Sequence, residues 1–179
     1  MDLSNLRLSQ YSQNDLSDWN KVIIEKYPIL YTEYDEHNAQ YYYCKQNAGM
    51  FDELDYCNLR NGFEFSQGWM KLVEAFSSVA SDLVLHLRAT VQPDAYIHAS
   101  IFKQKFGCLR WQGRDNLKGI FSELFHGYVR HIEERSTSIC EYTGERGRLR
   151  SIEGFAATLC DDEFVRICKE RAVTPILDE

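Results

Sequence analysis

The fold is organised around the stretch Cys140 to Glu163, C-E-Y-T-G-E-R-G-R-L-R-S-I-E-G-F-A-A-T-L-C-D-D-E, which has the spacing of a zinc ribbon. Cys140 and Cys160 each open a short turn-like segment. The sixteen residues 144–159 between these segments match the loop length of a C-x2-C…C-x2-C site. Thr143 and Glu163 stand where a ribbon would carry the second ligand of each segment. The pattern therefore predicts a C-terminal antiparallel hairpin of degenerate zinc-ribbon type.

Metal binding in this hairpin would depend on the donors that remain, which are Cys140, Cys160, Glu163 and Cys168. A structural zinc site needs four donors, mostly cysteine or histidine, and a threonine hydroxyl is a poor ligand. We therefore predict a hairpin held by packing, with no metal and no cofactor. The six cysteines are expected to be reduced thiols, and Cys108, Cys140 and Cys168 are predicted to be small buried side chains.

The size and composition of the chain indicate one folded domain. Its 179 residues can bury a full core, and 44% of them are apolar, which excludes a disordered chain. No apolar run reaches the ~18 residues of a membrane span, and the first residues lack the features of a signal peptide. We therefore expect a soluble cytoplasmic protein without a membrane partner.

Apolar periodicity and breaker residues predict an α+β single domain, with three to four helices around small antiparallel hairpins. Its parts are an acidic N-terminal segment (1–66), a helix–hairpin–helix core (67–139) and the ribbon-like hairpin with a short helix (140–179). The predicted elements are, in order, a helix over 14–27, an extended segment at 29–31, a strand at 40–44, a helix over 68–87, strands at 96–102 and 108–112, a turn at 113–116, a helix over 117–134 and a helix after Cys160.

Charge is unevenly distributed along the chain. The net charge is −7, and residues 1–60 contribute −5 of it, with ten acids and five bases. Residues 61–139 carry +1 and residues 140–179 carry −3. An acidic protein repels phosphate backbones, so nucleic acid is disfavoured as a general partner. The N-terminal third is the part that would attract a basic partner.

That N-terminal third interleaves acids with tyrosines, which is a composition typical of interfaces. Tyrosine supplies contact area at low entropic cost, and carboxylates steer a basic partner. A solvated acidic loop with half-buried tyrosines is the alternative interpretation. The candidate partner-binding residues are Glu33, Tyr34, Asp35, Glu36, Tyr41, Tyr42, Tyr43, Asp52, Glu53, Asp55 and Tyr56.

Other polar clusters allow weaker hypotheses. Lys103, Lys105 and Arg110 gather on the predicted central hairpin, either as an anion site or as a solvated basic rim. His126 and His131 flank the apolar stripe of the 117–134 helix and are predicted to be surface residues. The acids of residues 52–55 could hold magnesium, but a solvated loop is favoured. No nucleophile, P-loop or dinucleotide-binding motif is present, so we predict that the protein is not an enzyme.

Several stretches together resemble a family of small bacterial and phage cytoplasmic proteins of unassigned function. The matching pieces are K-Y-P-I-L-Y (26–31), Gly62-Phe63 leading to Gly68-Trp69, F-K-Q-K-F-G-C-L-R-W (102–111), C-E-Y-T-G (140–144), G-R-L-R (147–150) and T-L-C (158–160). The family pattern has cysteine and histidine where this chain has Thr143 and Glu163. Some similar proteins look like immunity partners of antibacterial toxins.

The resemblance and the acidic tyrosine-rich segment together imply an immunity protein that binds a cognate antibacterial toxin and occludes its active site. Carboxylates of residues 33–55 would meet a basic cleft on the toxin, with tyrosines as anchors. The alternative is a phage or mobile-element accessory protein that binds host protein or nucleic acid through the ribbon-like hairpin. Arg146, Arg148 and Arg150 would then contribute to binding, together with the cations of the central hairpin.

Overall fold

A computed structural model describes residues 18–35, 40–43 and 63–175. The elements are α1 (Asp18–Lys26), α2 (Pro28–Tyr31), β1 (Thr32–Asp35), β2 (Gln40–Tyr43), a 3-10 turn (Gln67–Trp69), α3 (Met70–Thr90), β3 (Ile97–Lys105), β4 (Cys108–Asp115), α4 (Ile120–Ser136), β5 (Arg148–Ile152), β6 (Phe155–Leu159) and α5 (Asp161–Glu170). The strands form three antiparallel pairs, β1–β2, β3–β4 and β5–β6. The predicted α+β class is confirmed.

Pro28 starts a helix rather than an extended segment. Residues 28–31 form α2, so the extended conformation predicted for 29–31 is wrong. The fixed φ angle of proline suits the first position of a helix, where its missing N–H removes no hydrogen bond. Leu30 and Tyr31 are fully buried, and the Tyr31 hydroxyl lies 2.5 Å from that of Ser77 on α3. Burial raises the pKa of Tyr31, so this hydroxyl stays protonated.

The main core lies between α3 and the β3–β4 hairpin, with α4 packed beside them. Phe76 of α3 is fully buried, and its ring packs edge-on against Phe102 of β3, with centroids 5.1 Å apart. Phe125 of α4 meets Phe76 at 5.9 Å and Trp111 of β4 at 5.4 Å. These aromatic contacts join the three elements into one core. The helix predicted over 68–87 is confirmed, and it continues to Thr90.

The predicted central hairpin is confirmed, but its second strand is longer than expected. β4 continues to Asp115, so the turn predicted at residues 113–116 is wrong. Backbone pairing extends to Ile97 opposite Asp115, which keeps residues 113–115 in the ladder. The next helix consequently begins at Ile120 rather than at 117, and Leu117 is buried outside it.

The apolar stripe predicted along α4 is wider than the buried face. Phe125, Val129 and Ile132 are buried, as predicted. Ile120 and Leu124 belong to the same periodic pattern, but they are 58% and 62% exposed. One helix face packs on the core, so the outer part of a wide stripe stays in solvent. None of the helices that the structure describes is both long and apolar enough to cross a bilayer.

The C-terminal residues form a second, smaller core. β5 and β6 pair from Arg148 opposite Leu159 to Ile152 opposite Phe155, which confirms the predicted hairpin. α5 follows directly and packs Phe164 and Cys168 against the inner face of the hairpin. Cys108, Cys140 and Cys168 are all buried, as predicted.

Two sets of hydrogen bonds tie the small core to the main one. The backbone N–H of Gly68 donates to the Glu141 carbonyl oxygen at 2.8 Å, and the Trp69 indole N–H donates to the Ile139 carbonyl oxygen at 2.7 Å. On the other side, the Thr158 hydroxyl donates to the Gly107 carbonyl oxygen at 2.5 Å. The C-terminal hairpin is thus held at the tip of β3–β4 and at the start of α3.

Candidate functional site

The β1–β2 hairpin brings together six of the eleven predicted partner-binding residues. Glu33, Tyr34 and Asp35 lie in β1, and Tyr41, Tyr42 and Tyr43 lie in β2. The register places Glu33 opposite Tyr42, Tyr34 opposite Tyr41, Asp35 opposite Gln40 and Thr32 opposite Tyr43. Glu33 and Tyr42, which are nine positions apart in sequence, therefore become cross-strand neighbours.

The other five predicted residues, Glu36, Asp52, Glu53, Asp55 and Tyr56, lie outside the described residues. The magnesium hypothesis for residues 52–55 falls outside them as well. Within the part of the chain that is described, no third strand pairs with β1–β2.

In the ribbon-like hairpin, Cys140 is fully buried in a ring of hydrogen-bond donors. Burial alone would raise the pKa of its thiol. The Thr143 hydroxyl and the backbone N–H groups of Cys160, Thr143 and Tyr142 donate to the sulfur, and they lower the pKa below its ordinary value. Relative to an ordinary cysteine, these donors therefore stabilise the thiolate form of Cys140.

The remaining predicted zinc donors do not complete a metal site. The Thr143 hydroxyl lies 3.8 Å from the sulfur of partly exposed Cys160, so a hydroxyl occupies the position beside the two sulfurs. Glu163 instead forms an ion pair with Arg166, at 2.7 Å. Cys168 is packed in the small core. Among the described residues, no three His, Cys, Asp or Glu side chains cluster so as to hold a metal ion.

Three of the six cations in the predicted basic sites, Arg110, Arg148 and Arg150, take part in internal ion pairs. Arg110 bonds to Glu133 at 2.6 Å. Arg150 is buried, pairs with Asp161 and stacks its guanidinium 4.5 Å from the centre of the Phe164 ring. Arg148 lies 3.5 Å from the same carboxylate. Arg150 therefore stabilises the small core rather than presenting its charge to a partner.

The tip of β3–β4 carries an exposed aromatic residue that the sequence patterns did not single out. Phe106 is 77% exposed and has a φ of 55°, in the left-handed region that a bulky residue rarely adopts. Leu149 of β5, which is 60% exposed, packs against the backbone of Gly107. The Lys105 ammonium lies 5.6 Å from the centre of the Phe106 ring. The signal available in the sequence was a phenylalanine in the turn position before Gly107.

Both histidines of α4 are surface residues in the structure, as predicted. His131 is exposed. His126 is partly exposed, and its Nε2 lies 3.2 Å from a carboxylate oxygen of Asp115. This pair fixes the start of α4 against the end of β4, and the arrangement offers no second nitrogen ligand for a metal.

Comparison with family models, with curated proteins and with solved structures finds no match to this chain. The resemblance drawn from the motifs of residues 26–164 therefore stays a prediction.

Proposed function

We propose that this chain is an immunity protein that binds a cognate antibacterial toxin and occludes its active site. The observation that supports this most directly is the β1–β2 hairpin. It places Glu33 across from Tyr42, Tyr34 across from Tyr41 and Asp35 across from Gln40. Acid and aromatic residues on one small sheet are the combination that steers and anchors a basic protein partner.

The charge distribution supports the same surface. Residues 1–60 hold five more acids than bases, whereas residues 61–139 hold one more base than acids. Electrostatic attraction to a basic cleft would therefore act mainly through the N-terminal third. Such a partner is an enzyme domain that binds nucleotide or nucleic acid, because those substrates require a basic cleft. The proposal assigns the chain no catalytic role, since blocking an active site requires only tight binding.

The proposal is tested by reversing the charge of the hairpin. Glu33→Lys with Asp35→Lys should abolish protection when the chain is co-expressed in bacteria with the toxin domain encoded by the adjacent open reading frame. Asp82→Lys with Glu134→Lys is the matched control, since it makes the same change of charge at exposed helix positions. The control should protect like the unmodified chain.

Two measurements make the test decisive. Isothermal titration of the purified chain with an inactive toxin domain should show binding that is lost with the hairpin variant and kept with the control. Circular dichroism should show that both variants are folded. Protection by a folded hairpin variant would exclude this surface, and an adjacent reading frame whose product is harmless would contradict the toxin proposal.

One observation favours a second candidate, an accessory protein that binds host protein or nucleic acid beside the ribbon-like hairpin. Phe106 and Leu149 are exposed apolar residues where the two hairpins meet, and Lys105 lies next to them. An exposed ring beside a cation can stack on an unpaired base. Binding of a labelled single-stranded oligonucleotide at low salt, lost in Phe106→Ala, would support this candidate. Absence of binding at low salt would exclude nucleic acid.

A further inference from the structure

We propose that Cys140 and Cys160 form a redox-active dithiol, a site at which low-molecular-weight disulfides reversibly oxidise the protein. The inference is independent of toxin binding. It concerns the two positions at which a zinc ribbon would hold metal, and it gives these thiols a role that needs no metal.

The two cysteines are neighbours in space although twenty positions separate them in sequence. The backbone N–H of Cys160 donates to the Cys140 sulfur. The Thr143 hydroxyl also bonds to the Cys140 sulfur, and it lies 3.8 Å from the Cys160 sulfur. Both sulfurs therefore border one hydroxyl group. Pairing of the Glu141 N–H with the Thr158 carbonyl oxygen at 2.9 Å holds the two cysteine-bearing segments side by side.

The two thiols differ in access in the way that a two-step exchange requires. Cys160 is partly exposed, so a small disulfide can reach it. Cys140 is fully buried, so it is shielded from direct attack. Cys160 packs against the small core that contains Cys140, so the buried cysteine lies close to the exposed one. The buried cysteine is thus prepared to resolve a mixed disulfide formed on the exposed one.

The other two cysteines that the structure describes have different surroundings. Cys108 donates its thiol proton to the Glu133 carbonyl oxygen at 3.2 Å, far from the turn that holds Cys140 in the sequence. Cys168 is 1% exposed in the small core. The pairing of donor-rich, buried Cys140 with accessible Cys160 therefore sets these two apart from Cys108 and Cys168.

The exchange balances with oxidised glutathione as the oxidant. The Cys160 thiolate attacks one glutathione sulfur, a new S–S bond forms, and a glutathione thiolate leaves with the electrons of the broken bond. The Cys140 thiolate then attacks the Cys160 sulfur and displaces the second glutathione thiolate. The two cysteines lose two electrons and two protons, and one oxidised glutathione becomes two reduced molecules.

The experiment uses the full chain, reduced, freed of reductant and then exposed to oxidised glutathione. After free thiols are blocked, peptide mapping by mass spectrometry should find Cys140 joined to Cys160. In Cys140→Ser, a glutathione adduct should persist on Cys160, because the resolving thiol is gone. In Cys160→Ser, both the adduct and the intramolecular disulfide should be lost. Cys108→Ala is the control and should form the disulfide like the unmodified chain.

Three outcomes would overturn the proposal. One is an unmodified chain whose two thiols stay reduced, and another is a chain that keeps the adduct on Cys160 without resolving it. The third is about one zinc per purified chain that is lost in either serine variant, since metal would then occupy both sulfurs. The decisive measurement is made on the unmodified chain, so a variant that fails to fold does not leave the question open.

Discussion

At the residue scale, the tip of β3–β4 departs most clearly from what local preferences favour. A two-residue hairpin turn with positive φ at both positions favours Asn-Gly. Here Phe106 and Gly107 have φ values of 55° and 75°. Gly107 tolerates this conformation because it has no Cβ. In Phe106 the same conformation is sterically unfavourable, and the residue also exposes an apolar ring. A residue that is unfavourable on both counts indicates a role in contact rather than in stability.

Phe106→Asn should therefore stabilise the chain by about 0.5–1 kcal/mol, because asparagine accepts left-handed φ values more readily than phenylalanine. Urea unfolding at constant pH measures the difference. Phe106→Ala keeps a Cβ at the strained position and should bring no comparable gain. A stability loss in Phe106→Asn would mean that the ring supports the fold through contacts with the C-terminal hairpin.

The buried guanidinium of Arg150 makes the second prediction at this scale. Its side chain is 3% exposed, and its Nε and Nη1 atoms have no hydrogen-bond partner among the described residues. Asp161→Asn removes the charge that Arg150 pairs with, and it should lower the free energy of unfolding by about 1–2 kcal/mol. Asp162→Asn is the control, because it removes one carboxylate from the same helix turn. Equal losses in the two variants would contradict the pairing.

At the element scale, the C-terminal hairpin is the part that the sequence predicted best. Cysteine spacing and glycine positions were sufficient to predict β5, β6 and α5, because these elements are set by local turn chemistry. The environment of Arg150 could not be predicted, since it depends on where α5 packs. The sequence offered it as a partner-binding cation of the alternative function, and the structure buries it against Phe164.

Restoring the two missing ligands should convert this hairpin into a zinc site. Two sulfurs on one zinc ion lie about 3.8 Å apart when each Zn–S bond is ~2.3 Å. The Thr143 hydroxyl is already 3.8 Å from the Cys160 sulfur. Thr143→Cys with Glu163→His should therefore bind about one zinc per chain, measured by elemental analysis after dialysis. Adding Cys140→Ser should remove the metal. A double variant without zinc would show that the turns after Cys140 and Cys160 do not hold four ligands in zinc geometry.

The helices show where prediction from periodicity fails. Pattern alone located α3 and α4, but it could not tell that Ile120 and Leu124 remain exposed, because burial depends on which neighbours a helix meets. It also could not exclude an extended segment after Pro28, since a proline is compatible with both a helix start and a strand. The β1–β2 pairing was only half predicted, with a strand over 40–44 and no partner, because register between short polar strands has little hydrophobic signal.

At the scale of the whole molecule, close backbone approach at Gly68 joins the two cores. A Cβ at this position would overlap the Cys140 carbonyl oxygen and lie 2.5 Å from the Glu141 carbonyl oxygen. Both atoms belong to the backbone and cannot move aside cheaply. The motif Gly68-Trp69, which supported the family resemblance, therefore has a physical reason in the docking of the C-terminal hairpin.

Gly68→Ala should consequently destabilise the chain by about 2–3 kcal/mol through overpacking. Gly127→Ala is the opposite control, because Gly127 lies inside α4 with no atom closer than 3.9 Å to an added Cβ. Alanine in the helix interior should stabilise the chain by about 0.5–1 kcal/mol. Urea unfolding of both variants tests the pair, and similar effects of the two substitutions would exclude a close contact at Gly68.

The hydrogen bond from the Trp69 indole to the Ile139 carbonyl has a consequence for folding during synthesis. Trp69 is fully buried, yet its acceptor is translated seventy residues later. Contacts that join distant parts of a chain form late, because closing the intervening loop costs entropy. A nascent chain therefore contains α3 and both strands of the central hairpin before the indole has its partner. The C-terminal hairpin completes the main core from outside, and folding waits for the last third of the chain.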